Sequence, residues 1–140
     1  MRKSRRDNRR RGAVALETAL MMPFFLLLLV GIMEFGRAVM ILQITTNAAR
    51  EATRLCVIRG TTDEQVTKVV ADYLSSAKIS PTGQVIEIRN NSGTAVSLAT
   101  IPSHAEATVF VSVPFQENSL GMTQWFVGDT ISSEVSMRRE

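Results

Sequence analysis

The sequence predicts an α+β fold. A long N-terminal membrane-spanning helix continues as an amphipathic stalk, followed by one helix and a small antiparallel sheet of three to four strands. Three observations carry this expectation. Residues 13–33 hold one charge, Glu17, directly after a block with seven Lys/Arg in twelve residues. From Glu34 to about Ile58 the composition turns amphipathic, with apolar positions recurring at three- and four-residue steps. Beyond residue 84 the apolar period changes to alternation, the mark of half-buried strands. At 140 residues, with 45% apolar and 21% charged content, the chain fits one ordinary domain plus an attachment segment. The same composition excludes a fully disordered polar chain.

The first helix follows from length and polarity. Residues 13–33, taken as a helix rising 1.5 Å per residue, span roughly 31 Å, enough for a hydrocarbon core of about 30 Å. The centre, Phe24 through Val30, has no polar face, so lipid on all sides is the simplest surrounding. Upstream lies the leader, residues 1–12, with Arg9, Arg10 and Arg11 against the apolar run. By the positive-inside rule these arginines hold the N-terminus in the cytoplasm and send the C-terminal part across the membrane. A secretory signal peptide shares this layout, but no small-residue cleavage site follows Val30. Basic residues alone can also hold phosphate; set directly against a spanning helix they read as an orientation signal, and no nucleic-acid partner is expected. Glu17 fits an ordinary anchor poorly, because a carboxylate at mid-depth costs about 2–3 kcal/mol or more. Either it reaches back to the headgroups and arginines, or it awaits a positive partner inside the bilayer. Pro23 removes one backbone hydrogen bond of the helix and is a candidate bend, which membrane helices tolerate.

The N-terminal residues also resemble a known pattern. Arg10-Arg11-Gly12-Ala13-Val14-Ala15-Leu16-Glu17 looks like a prepilin peptidase site, a basic leader ending in Gly before an apolar helix with Glu at its fifth position. With Met22-Pro23, Glu34-Phe35-Gly36-Arg37 and Ala48-Ala49-Arg50-Glu51-Ala52-Thr53-Arg54 in order, residues 9–60 resemble the TadE-like family. These are minor pilins or pseudopilins of bacterial tight-adherence (Tad, Flp-type) pili. The resemblance implies cleavage between Gly12 and Ala13 by a prepilin peptidase. It further implies pairing of Glu17 with the new N-terminal amine of a neighbouring subunit. The expected partners are inner-membrane lipid, other pilins or pseudopilins, the Tad assembly platform and the peptidase. The expected location is the bacterial inner membrane, single-pass, with the head periplasmic and the protein supporting pilus biogenesis and surface adhesion. The rival is a single-pass anchored extracytoplasmic binding module with no filament role.

In the stalk, residues 34–60, Ile41, Ile44, Ala48, Ala52 and Leu55 form the apolar stripe, while Arg37, Arg50, Glu51 and Arg54 mark wetter sides. Glu34, Arg37, Arg50 and Arg54 are candidate stalk contacts, either to acids elsewhere in the head or a neighbouring subunit, or simply to solvent. Cys56 is expected to be a small packed residue rather than a nucleophile. An unbroken helix over residues 13–58 would be roughly 69 Å long. Arg59-Gly60-Thr61 then ends it, and residues 61–140 form the head.

The head opens on a capping box from Thr62 and Gln65, with Asp63 and Glu64 at the helix's positive end. Val66, Val69, Val70, Tyr73, Leu74 and Ala77 make its apolar stripe, and Ser80-Pro81-Thr82-Gly83 is expected to stop it. Strands are expected at residues 85–89, 104–115 and 130–138, with residues 96–101 as a candidate fourth. Asn90-Asn91-Ser92-Gly93 is turn chemistry. In the loop before the last strand, Met122, Trp125, Phe126 and Val127 suit either core packing or a partner surface.

The function classes are narrowed by scarcity. One Cys forbids an internal disulfide, and one His, His104, leaves a nucleophile a single base to pair with. No phosphate-binding glycine loop and no metal-ligand spacing is present, so neither a cofactor nor an enzymatic role is expected.

Overall fold

The computed structural model describes residues 3–119 and 130–139, with side chains from Arg11 onward. The elements are α1 (Lys3–Val57), α2 (Asp63–Ser76), β1 (Val85–Arg89), a 3-10 turn (Leu98–Thr100), β2 (Glu106–Pro114), a second 3-10 turn (Gln116–Asn118) and β3 (Thr130–Arg138). The fold is α+β, as expected, and its sheet has three antiparallel strands in the order β1-β2-β3. The expected cluster of Met122, Trp125, Phe126 and Val127 lies outside the described residues. The chain divides into two compact units, Met1–Phe35 and Gly36–Glu140, which are taken separately.

In the first unit α1 is helical before Ala13 as well as after it, so Gly12 sits inside the helix. Pro23 lies within α1 without ending it. Its ring leaves the Ala19 carbonyl without an amide donor four residues on. The large apolar side chains of the stretch, from Val14 through Leu29 to Phe35, are all at least 49% exposed apart from the half-buried Val30. A segment of Leu, Met and Phe that finds no cover within its own unit needs an apolar surrounding from elsewhere, and α1 is long and apolar enough to cross a membrane.

The second unit is built on a seam of small residues. From Gly36 onward α1 buries Ile41, Thr45, Ala48, Ala49, Ala52, Thr53 and Cys56, most of them completely. Apart from Ile41 these are small side chains, which let the helix backbone lie close to what covers it. Ile41, Ala48, Ala49, Ala52 and Cys56 share one buried cluster with Val66, Val70 and Leu74 of α2 and Ala107, Val109, Val111 and Val113 of β2. The buried threonines satisfy themselves: Thr45 donates to the Ile41 carbonyl (2.8 Å) and Thr53 to the Ala49 carbonyl (2.6 Å). Thr53 also lies 3.2 Å from the Val135 carbonyl, and the Ser133 hydroxyl donates to Thr46 Oγ1 at 3.0 Å, so α1 runs along β3. The expected stripe of Ile41, Ala48 and Ala52 is therefore the buried one; Ile44 and Leu55 are partly covered at its edge.

β2 pairs with both neighbours, which changes its burial pattern. Ala107, Val109, Val111 and Val113 fill the core face, yet Thr108 and Ser112 on the opposite face are also buried between flanking strands. On that second face the Arg89 guanidinium lies 3.7 Å from the Phe110 ring centroid and pairs with Glu87 at 2.8 Å. β3 alternates between exposed and half-buried positions over its whole length, as its sequence predicts.

Two boundaries differ from expectation. Residues 96–101 form no fourth strand among the described residues. After the Val96 amide donates to the Ile88 carbonyl (2.8 Å), Ser97 caps a 3-10 turn instead. The Asp63 carboxylate accepts from the Ser97 hydroxyl (2.6 Å) and from the Leu98 amide (2.8 Å), taking a donor that a strand ladder would use. Likewise α2 ends before Ser80. Its capping box is present as expected, but at the other end Lys78, at φ +58°, closes a Schellman turn. The Ile79 amide donates to the Leu74 carbonyl (3.0 Å) and the Lys78 amide to the Ser75 carbonyl (2.9 Å). A left-handed lysine costs about 1 kcal/mol relative to glycine, partly offset by glycine's larger chain entropy. Lys78→Gly should accordingly raise the unfolding free energy by about 0.5 kcal/mol, read as a higher urea midpoint at unchanged slope.

Candidate functional site

The residues singled out by the sequence fall in two places. In the first unit, Gly12 and Ala13 lie within α1, and Glu17 follows Ala13 by four residues, so the two share a helix face one turn apart. Glu17 is exposed among exposed apolar neighbours, and among the described residues it makes no ion pair. Thr18 beside it donates to the Val14 carbonyl at 2.9 Å. A methyl group built on Gly12 meets nothing within 4 Å, so the helix itself does not require glycine there. Arg11 is exposed; the side chains of Arg9 and Arg10 lie outside the described residues. Glu34 is only 2% exposed and is engaged with a partner.

In the second unit, Arg37 donates from Nε to the backbone carbonyl of Asn118. Asn118 is itself 4% exposed: its Oδ1 accepts from the Ser80 amide (2.8 Å) and its Nδ2 donates to the Pro114 carbonyl (3.0 Å). One buried amide thus ties the turn after α2 to the end of β2, and Arg37 binds the same residue from α1. Arg50 and Arg54 face solvent; Arg54 approaches Glu51 of its own helix at 3.7 Å, an exposed pair worth a few tenths of a kcal/mol at most. Among the described residues neither is paired with an acid of the sheet, and both lie on an exposed face of α1.

Cys56 is fully buried at the end of α1, and burial, reinforced by the nearby Asp63 carboxylate, pushes its thiol up from 9.0 to about 11. Such a thiol is neither a thiolate at neutral pH nor open to a second chain. His104 is exposed ahead of β2, with φ +70°. Among the described residues no three His, Cys, Asp or Glu side chains stand together in a group that would hold a metal ion.

Sequence reasoning missed Asn118, because a single Asn in a polar loop carries no pattern. It also gave Asp63 only a helix-end role, whereas the carboxylate anchors a loop 34 residues away.

Comparison with known proteins fits the N-terminal part alone. No curated protein and no solved structure matches the chain. Residues 12–54 match the family model for TadE-like protein. That segment starts at Gly12 and includes Ala13, Glu17, Pro23, Glu34, Arg37, Arg50 and Arg54, and over it the chain is similar to TadE-like proteins, the resemblance its motifs led us to expect.

Proposed function

We propose that this protein is a non-enzymatic minor pilin or pseudopilin of a Tad-type pilus machine, anchored in the inner membrane by α1 with its second unit on the outer side. The observation that carries the proposal is the TadE-like match beginning at Gly12. The largely exposed apolar run that follows, with Glu17 as its one charge before Glu34, supports it. A prepilin peptidase cutting between Gly12 and Ala13 removes the basic leader and creates an amine at Ala13. Two opposite charges that are costly apart in lipid then form a pair, Glu17 with the amine of an adjacent subunit, which fixes axial register more than it adds net stability. The bond lies within a helix, so the peptidase must unwind it locally, and Gly12 lowers the cost of doing so by about 1 kcal/mol relative to alanine.

Gly12 allows a clean test, because an added methyl group clashes with nothing. Gly12→Ala should insert normally yet accumulate as the uncut form, seen by intact mass of protein from a pilus-making host. Glu17→Ala should be cut and inserted yet give fewer pili by electron microscopy. Wild-type protein recovered from assembled pili with residues 1–12 still attached would rule the processing out and leave the anchored binding module as the better account.

A further inference from the structure

We infer that residues 96–102 form a strap over the buried end of α1, latched from two sides by Asp63 and Arg139 and able to open without the rest of the unit unfolding. Among the described residues the strap joins no ladder beyond the Arg89–Ala95 bridge beside it and the Val96 amide bond to Ile88. Its apolar anchors are Leu98 and Ile101, 1% and 3% exposed, which share the buried cluster with Cys56. On one side Asp63 accepts from Ser97 and Leu98, as described above. On the other, Arg139 Nη1 donates to the Leu98 carbonyl (2.6 Å) and the Ile101 carbonyl (2.8 Å). Arg139 is held in turn by its backbone, whose amide donates to the Ala105 carbonyl and whose carbonyl accepts from the His104 amide, both at 2.8 Å. Leu98 is gripped at its amide by an anion and at its carbonyl by a cation. The same two charges act on Cys56, Asp63 raising its thiol and Arg139 opposing that rise.

The strap is a small cooperative unit by its construction. Opening it breaks a few hydrogen bonds and exposes two apolar side chains, whereas the sheet retains both its ladders. The latch makes the strap's closure depend on the residue that follows β3, so that a contact or cleavage there is felt at the start of α2. This inference does not rest on the pilus role.

Cys56 is the sole cysteine and serves as the reporter. The experiment labels the detergent-solubilised full chain with a maleimide at pH 8 across low urea concentrations. Wild-type labelling should depend on urea far less steeply than global unfolding does, since sub-global opening exposes little surface. Arg139→Ala should raise the labelling rate in the absence of urea about tenfold or more through loss of two charge-assisted hydrogen bonds, with Ser97→Ala giving a smaller rise. Val111→Ala, a cavity in the central strand, should lower the global midpoint and leave that rate unchanged. Labelling that follows the global unfolding slope in every variant, or a rate raised as much by Val111→Ala as by Arg139→Ala, would overturn the strap.

Discussion

Leucine in place of Ala52 is expected to destabilise the second unit by about 2–3 kcal/mol, the upper part of the range for overfilling a packed core. Ala52 is fully buried between Ala48 and Cys56 on the face of α1 that closes the core, and Thr53 next to it touches the β3 backbone. Three added heavy atoms leave two routes: an off-rotamer side chain, or a helix lifted away from the sheet with loss of the Thr53 and Ser133 contacts. Urea unfolding followed by circular dichroism reads the loss as a lower midpoint. Gln43→Leu, the same kind of residue introduced on the exposed side of α1, should stay within about 0.5 kcal/mol of wild type. Equal stability of Ala52→Leu and wild type would mean that α1 beyond Gly36 is a free stalk and not the core helix of the unit.

That outcome bears on what the sequence makes legible. The stripe of Ile41, Ala48 and Ala52 is readable from spacing, and so is the alternation of β3, because an edge strand with one covered face obeys a two-residue period. β2 is half readable: its valines announce the core face, but the burial of Thr108 and Ser112 comes from being paired on both sides, which is a property of topology. The capping box at Thr62 and Gln65 is local chemistry and stands as written. The end of α2 is not, since Lys78 in a left-handed turn defies its own propensity and is held by bonds back to Leu74 and Ser75. Residues 96–101 look like a strand by composition, yet their donors and acceptors are taken by Asp63 and Arg139, tens of residues away in the chain. For the candidate site, Gly12 and Glu17 are legible by motif. Asn118, whose contacts with Arg37 and Ser80 join distant segments, is invisible until the chain is folded.

The second large effect is expected at alkaline pH and has its source in the buried thiol of Cys56. The fold favours the neutral thiol, so the folded value, about 11, lies above the ordinary value of 9.0. A group with a raised folded value gives stability that is fully present below its unfolded value and is lost as pH rises through the folded one. The window is therefore pH 9 to 11, and a shift of this size corresponds to a loss of about 2–3 kcal/mol across it. Wild type alone does not isolate the thiol from the rest of the chain. Cys56→Ala does, because it keeps every other titrating group. At pH 8 the variant should be less stable by about 1 kcal/mol, from lost packing of one sulfur. By pH 11 the order should reverse, because wild type then ionises a thiol in the core or unfolds to release it, and alanine has nothing to ionise. A stability difference between the two proteins that stays constant from pH 8 to 11 would show that the sulfur reaches water in the native state, and with it that the strap of residues 96–102 does not seal the end of α1.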